Sequence, residues 1–384
     1  MNWIRNLPFA VKLAAIALVM LVPVTLLSFF FYRTEETTIV TARNEQAGSH
    51  YYQDFEELLL PLGQHQAYRV SAALGDRPAA AKADAVAASI DQTLAKLGGL
   101  AADFDGGAQE GSRRLADIRS SWQSLKQGSG SAEQIADAHS ALIAKITDMI
   151  GWIANTSGIT LDPDPVAYFV LDNAATRVPT LEAAFANMSA NAVRASAQGS
   201  LTDAERYAIV ADRTTIAVTL AAIESNITSA AAGGASGKAF EDESRAGLRR
   251  VQEAMNSYVA FLERGFLGPR LAASLAETDD AADAVPAAID AFHDVQQRHA
   301  DALLAQRLAA AGDERNEVLG IVLASLLASI LFTWLVAQST LVRLRQSVEA
   351  AGRMAEGDFT VAIDANAGRD EIGRVLQALT TTRD

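Results

Sequence analysis

The sequence predicts an all-α, membrane-anchored protein with two transmembrane helices and a helical-bundle extracytoplasmic sensor, and three observations carry that prediction. Leu13–Phe31 and Val318–Val336 are each 19 residues long and free of charge. Hydrophobic residues make up 50% of the 384-residue chain while aromatics reach only 7%, an alanine-rich balance that favours long helices. Between the two apolar runs there is almost no strand-like alternation.

Residues 1–12 form a short leader into the first span, 13–31. Nineteen helical residues reach about 28 Å, the thickness of a bilayer's hydrocarbon core. A cleaved signal peptide is the competing reading, but its apolar core runs about 7–15 residues and ends in a small-x-small site, which is lacking here. Arg5 and Lys12 precede this span, and Arg343, Arg345 and Arg353 follow the second at 318–336. The positive-inside rule therefore expects both termini in the cytoplasm and residues 34–315 outside, in the periplasm of a bacterium's inner membrane. Trp3, the Phe29–Tyr32 cluster and Trp334 fall at interfacial depth. Of the formal net charge of −14, residues 34–337 carry −16, which argues against nucleic acid or anionic lipid headgroups as partners of the outer segment. The chain has no cysteine, so disulfides and thiolate metal sites are excluded.

The outer segment divides into helices near 34–74, 79–98, 110–127, 131–160, 165–198, 202–232, 238–267 and 270–315. Their boundaries are GDRP, DFDGG, GSGS, LDPDP, GSLTD, GGASG and GFLGP. Asp164 before Pro165 is an N-cap followed by proline at the first helical position, and Ser200 or Thr202 with Asp203 and Glu205 starts the next helix. Eight helices in about 280 residues suggest two stacked four-helix modules. The layout resembles the two-module helical sensor regions of some bacterial chemoreceptors.

Candidate chemistry is sparse. His50, His65, His139, His293 and His299 form no His-x-x-x-His pair, and His293 and His299 lie on different helix faces, so no metal and no cofactor is expected. GGASGK at 233–238 has the wrong spacing for a phosphate loop and reads as a turn. No catalytic constellation is recognisable, and the chain is not expected to be an enzyme. The stretch LDPDPVAYFVLDNAATRVP, 161–179, resembles an LDPD…Y…D pattern of sensor regions in membrane receptors of this layout. It admits two readings: a capped helix start with Tyr168 and Asp172 on one face and Pro179 kinking the new helix, or a break that opens a ligand site. In the second, Arg177 or Arg69, beside Tyr68, clamps a carboxylate.

After the second span, Leu341, Leu344, Val348, Ala351 and Ala355 form a short heptad seam that stops at Gly357. Phe359, Val361 and Ile363 then alternate, and Asp370-Glu371 starts a second helix carrying Ile372. A connector of about 13 residues is long enough to travel back along the first helix, so the two helices run parallel and should dimerise into a four-helix bundle. Residues 338–384 resemble the HAMP relay module of chemoreceptors and sensor kinases, with Gly357 and Asp370-Glu371-Ile372-Gly373 matching its pattern. The proline usual near the start of its first helix is absent from STLVRL, 339–344. The resemblance implies a methyl-accepting chemotaxis receptor: a homodimer in membrane lipid that senses an organic acid, an amino acid or a periplasmic binding protein. It implies further a signal passed to a cytoplasmic kinase or adaptor through an output domain beyond residue 384. A sensor histidine kinase or a diguanylate cyclase shares this front end. A structural or adhesion protein with a helical ectodomain is the reading of another class.

Overall fold

The computed structural model describes residues 8–97, 108–267, 271–358, 360–362 and 371–383. All its described elements are helical. They fall into two compact units, one from Ile39 to Ala309 and the other from Met1–Thr38 with Ala310–Asp384. Trp3, Arg5, Phe359, Ile363 and Asp370 lie outside the described residues.

In the membrane-related unit, helix α1 (Phe9–Glu56) carries the first apolar run and helix α11 (Ala284–Ala355) the second. Both are long and apolar enough to cross a bilayer. Leu18, Phe30, Leu323 and Phe332 are more than half exposed, as lipid-facing side chains are. Pro23 interrupts the hydrogen-bond ladder of α1 within its span. The hydroxyls of Thr25 and Ser28 bond back to the carbonyls of Leu21 and Val24 at 2.9 and 2.8 Å.

The second unit is a bundle. Its helices are α2 (Leu59–Ala73), α3 (Arg77–Lys96), α4 (Ala108–Gln127), α5 (Ala132–Ser157), α6 (Pro165–Asp172), α7 (Val178–Gln198), α8 (Asp203–Ala231), α9 (Ala235–Gly265) and α10 (Leu275–Ala282). The ectodomain parts of α1 and α11 complete it. Helix α2 packs on α3 and α5, and α4 on α5; α8 packs on α7 and α9. The two groups meet where α2 lies against α7, so one continuous core runs from Tyr52 through Trp122, Leu181 and Tyr258 to Leu304. Capping boxes at Ser131/Gln134, Thr202/Glu205 and Ser274/Glu277 start α5, α8 and α10.

Three details depart from the expected boundaries, the first being that the helix expected at 270–315 splits at Asp283 into α10 and α11. The first long helix breaks after Glu56 and restarts at Leu59, just ahead of Pro61, which has no N–H to bond the Glu57 carbonyl. Between α6 and α7, Asn173–Arg177 forms a single π-helical turn, which widens the helix just before Pro179. The core also holds a long-range histidine pair. His65 Nδ1 lies 2.8 Å from His139 Nε2, and His139 Nδ1 lies 2.6 Å from the Ile135 carbonyl. A carbonyl only accepts, so His139 is protonated on Nδ1 and its Nε2 accepts from His65. Burial pushes both pKa values down, to about 3 and about 4.

Candidate functional site

The helices that carry the two apolar runs face each other inside the bundle through a buried polar seam. On α1 it comprises Glu45, Ser49, Tyr52 and Glu56, whose 4-3-4 spacing places them on one face, and all are at most 2% exposed. Opposite them on α11 stand His293, Gln297, Asp301 and Arg307. The Tyr52 hydroxyl donates to Gln297 Oε1 at 2.7 Å, and Gln297 Nε2 donates to Ser49 Oγ at 2.8 Å and Asp301 Oδ1 at 2.9 Å. An ion pair closes each end: Arg307 Nη1 with Glu45 Oε2 at 2.7 Å, and His293 Nε2 with Glu56 Oε2 at 2.9 Å.

The LDPDP stretch serves this seam. Helix α5 ends at Gly158 and a 3₁₀ turn, Ile159–Leu161, brings Asp162 inward, where its carboxylate also binds Arg307. Asp162 Oδ1 accepts from the Asp164 amide at 2.8 Å, and Asp164 caps α6 through the amides of Val166 and Ala167. The chain comes so near α1 here that a Cβ on Gly48 would lie 2.3 Å from Ser157 Cβ, a spacing only glycine allows. One guanidinium thus serves two shielded carboxylates. Burial, then repulsion from Asp162, pushes the Glu45 pKa up to about 7 against the opposing pull of Arg307.

The π turn feeds a second polar chain. Asp172 accepts from Arg177 Nε at 2.9 Å and from Asn226 Nδ2 at 2.7 Å. Asn226 also donates to Asn173, Asn173 to Gln296 and Gln296 to Ser244, linking α8, α11 and α9 through buried amides. Asp172 and Arg177 meet, so the carboxylate that Arg177 holds is one of the chain's own. Tyr168 is 39% exposed and packs edge-on against Phe169 instead of Asp172. Arg69 donates to the Gly128 carbonyl at 2.7 Å, and Lys82 lies over the Tyr68 ring at 5.2 Å. Of these five residues only Tyr68 lines a cavity of about 320 Å³ between α2, α7 and the α10–α11 corner, which Asp279, Asp283 and Asp290 make acidic.

At the carboxy-terminal end, α11 stops where Gly357 turns left-handed at φ +94°, its amide donating to Met354 O at 3.1 Å. Asp358 accepts from the Thr360 hydroxyl at 2.6 Å, from the Thr360 amide at 2.9 Å and from Arg353; the two Thr360 bonds first, then Arg353, hold its pKa down at about 2. Val361 is buried against Ala350 and Met354, with Leu379 of helix α12 (Glu371–Arg383) on the same cluster. Gly373 is buried, Ile372 half-buried and Glu371 exposed. The expected seam residues Leu344 and Val348 are 38% and 66% exposed, and Val375 joins them at 52%. The face buried within the chain is one residue out of step with that seam, at Ser347, Ala350 and Met354.

Residues 335–384 match the HAMP domain family. No curated protein matches the chain. A solved structure titled "Structure of the NasR transcription antiterminator" resembles it with a TM-score of 0.51 and 13% identity, over 91% of this chain and 96% of that one. At that identity the likeness is one of fold alone. A HAMP match directly after an apolar helix indicates a signal-transducing receptor.

Proposed function

We propose that this chain is the input half of a transmembrane chemoreceptor, with its helical bundle in the periplasm, both termini in the cytoplasm and two copies per receptor. One observation carries the reading. The two helices that bear the spans are joined inside the bundle by a buried polar seam, and the second of them continues unbroken to the HAMP-matching segment. A two-state relay requires a second pairing of similar energy, and a seam of hydrogen bonds with an ion pair at each end offers exchangeable partners for one. A small molecule or a binding protein acting on the bundle shifts that balance, and α11 carries the change toward the HAMP helices. Transcription antitermination, named for the similar fold, suits less well a chain of net charge −14 with two bilayer-length apolar runs.

The exposed stripe of Leu344, Val348 and Val375 supports a second copy as partner, since parallel HAMP helices cover such a stripe by dimerising. Leu344→Cys in native membranes should crosslink two copies, whereas Val361→Cys, buried within one chain, should not. Arg307→Ala should change the Leu344→Cys crosslinking rate from a distance. Absence of any crosslink, or a rate indifferent to the seam, would sink the relay reading.

A further inference from the structure

The geometry points to a divalent transition-metal site formed by Glu56, Glu182 and His293 at the membrane-distal end of the polar seam. One carboxylate oxygen from each glutamate and one imidazole nitrogen lie within 4.8 Å of one another. Two ligands each about 2.1 Å from a tetrahedral ion are about 3.4 Å apart, so the widest pair closes by up to about 1.4 Å to complete the set.

The polar atoms here lack better partners. Glu56 and Glu182 are each 2% exposed. Glu182 Oε2 and both oxygens of Glu56 have no hydrogen-bond partner, and the His293 Nε2 contact at 2.9 Å is off the line of a hydrogen bond. Among the described residues no lysine or arginine pairs with either glutamate. Two shielded carboxylates facing one imidazole keep at least one uncompensated negative charge even when the imidazole is protonated, and a dication balances both carboxylates. Mixed carboxylate and imidazole ligation selects zinc, manganese or iron(II) over calcium and magnesium, which favour oxygen alone.

The acidic cavity lies one helical turn from two of the ligands. Asp290, one turn before His293, lines the acidic cavity, as do Phe185 and Ala186 one turn beyond Glu182. Asp279 and Asp283 add negative charge at its wall and favour a cation over an anionic ligand. The ligands come from the end of α1, from α7 and from α11, so an ion here pins both span-bearing helices to the bundle.

The test uses the tag-free full chain in nanodiscs, stripped with EDTA and titrated with zinc. The expected result is one ion retained per chain by elemental analysis, with a rise in unfolding temperature. E182Q and H293Q should each weaken binding by more than the roughly 10- to 100-fold that an outer-shell change costs. Because these variants also alter the core, cobalt(II) added to the unmutated chain gives an independent readout. Visible absorption of four- or five-coordinate strength supports the site, and the weak spectrum of hydrated cobalt overturns it. Failure to retain zinc, or unaltered affinity in well-folded E182Q and H293Q, would also overturn it, leaving the crosslinking test of the relay untouched.

Discussion

Arg307 holds two carboxylates, Glu45 and Asp162, whose side chains are 1% and 0% exposed. Removing it strands both, so Arg307→Ala should cost about 3–5 kcal/mol in chemical unfolding, and Arg307→Lys less. Glu45 makes the same contact sensitive to pH. Its folded-state pKa is raised to about 7 from an ordinary 4.5, so between those values the folded chain binds more protons than the unfolded one. The associated stability is complete below about pH 4.5 and is lost as the pH rises through about 7. Glu45→Gln should therefore flatten the fall in stability between pH 5 and 8 by about 1–3 kcal/mol in unfolding titrations. The seam was only partly legible in the sequence. The 4-3-4 spacing of Glu45, Ser49, Tyr52 and Glu56 is visible along the chain, but Tyr52 and Gln297 are 245 residues apart. Nothing local distinguishes such a buried polar face from a solvated one. Asp162 looked like part of a helix start because its partner, Arg307, is 145 residues away.

Helix boundaries were more legible, because a local conformational constraint causes each. Proline after Asp164, the capping boxes and the glycine breaks act within a few residues: α5, α8 and α9 begin and end, α6 begins and α7 ends close to where these signals fall. The π turn at Asn173–Arg177 carries no such mark; Asn-Ala-Ala-Thr-Arg is ordinary helical sequence, and the extra residue is selected by buried partners on α8 and α11. In the HAMP-matching segment the heptad seam of Leu344 and Val348 stays exposed, and the face buried within the chain, at Ser347 and Ala350, precedes it by one residue at Val348 and Ala351. The packing demand of Leu344 and Val348 points outside the chain, which sequence periodicity alone does not distinguish. Gly357 belongs to this scale. At φ +94° an L side chain is strained, so Gly357→Ala should cost about 1–2 kcal/mol locally, lengthen α11 and alter Leu344→Cys crosslinking.

For the whole molecule, the apolar runs organise everything else. Ile330 is 59% exposed in the middle of the second run, where bilayer is its expected surrounding. Ile330→Arg should raise the insertion free energy by about 3 kcal/mol, measured as loss of membrane-integrated protein. The two runs also differ mechanically. The first contains Pro23, which removes a ladder hydrogen bond, followed by hydroxyls that bond back to carbonyls and soften a helix further. The second lies within a helix whose proline, Pro286, sits in its first turn. Stiffness is thus unequal: the first run is the more compliant, suited to absorb strain, and the second the stiffer, as the proposed relay requires of a helix that is to pass displacement to the segment behind it.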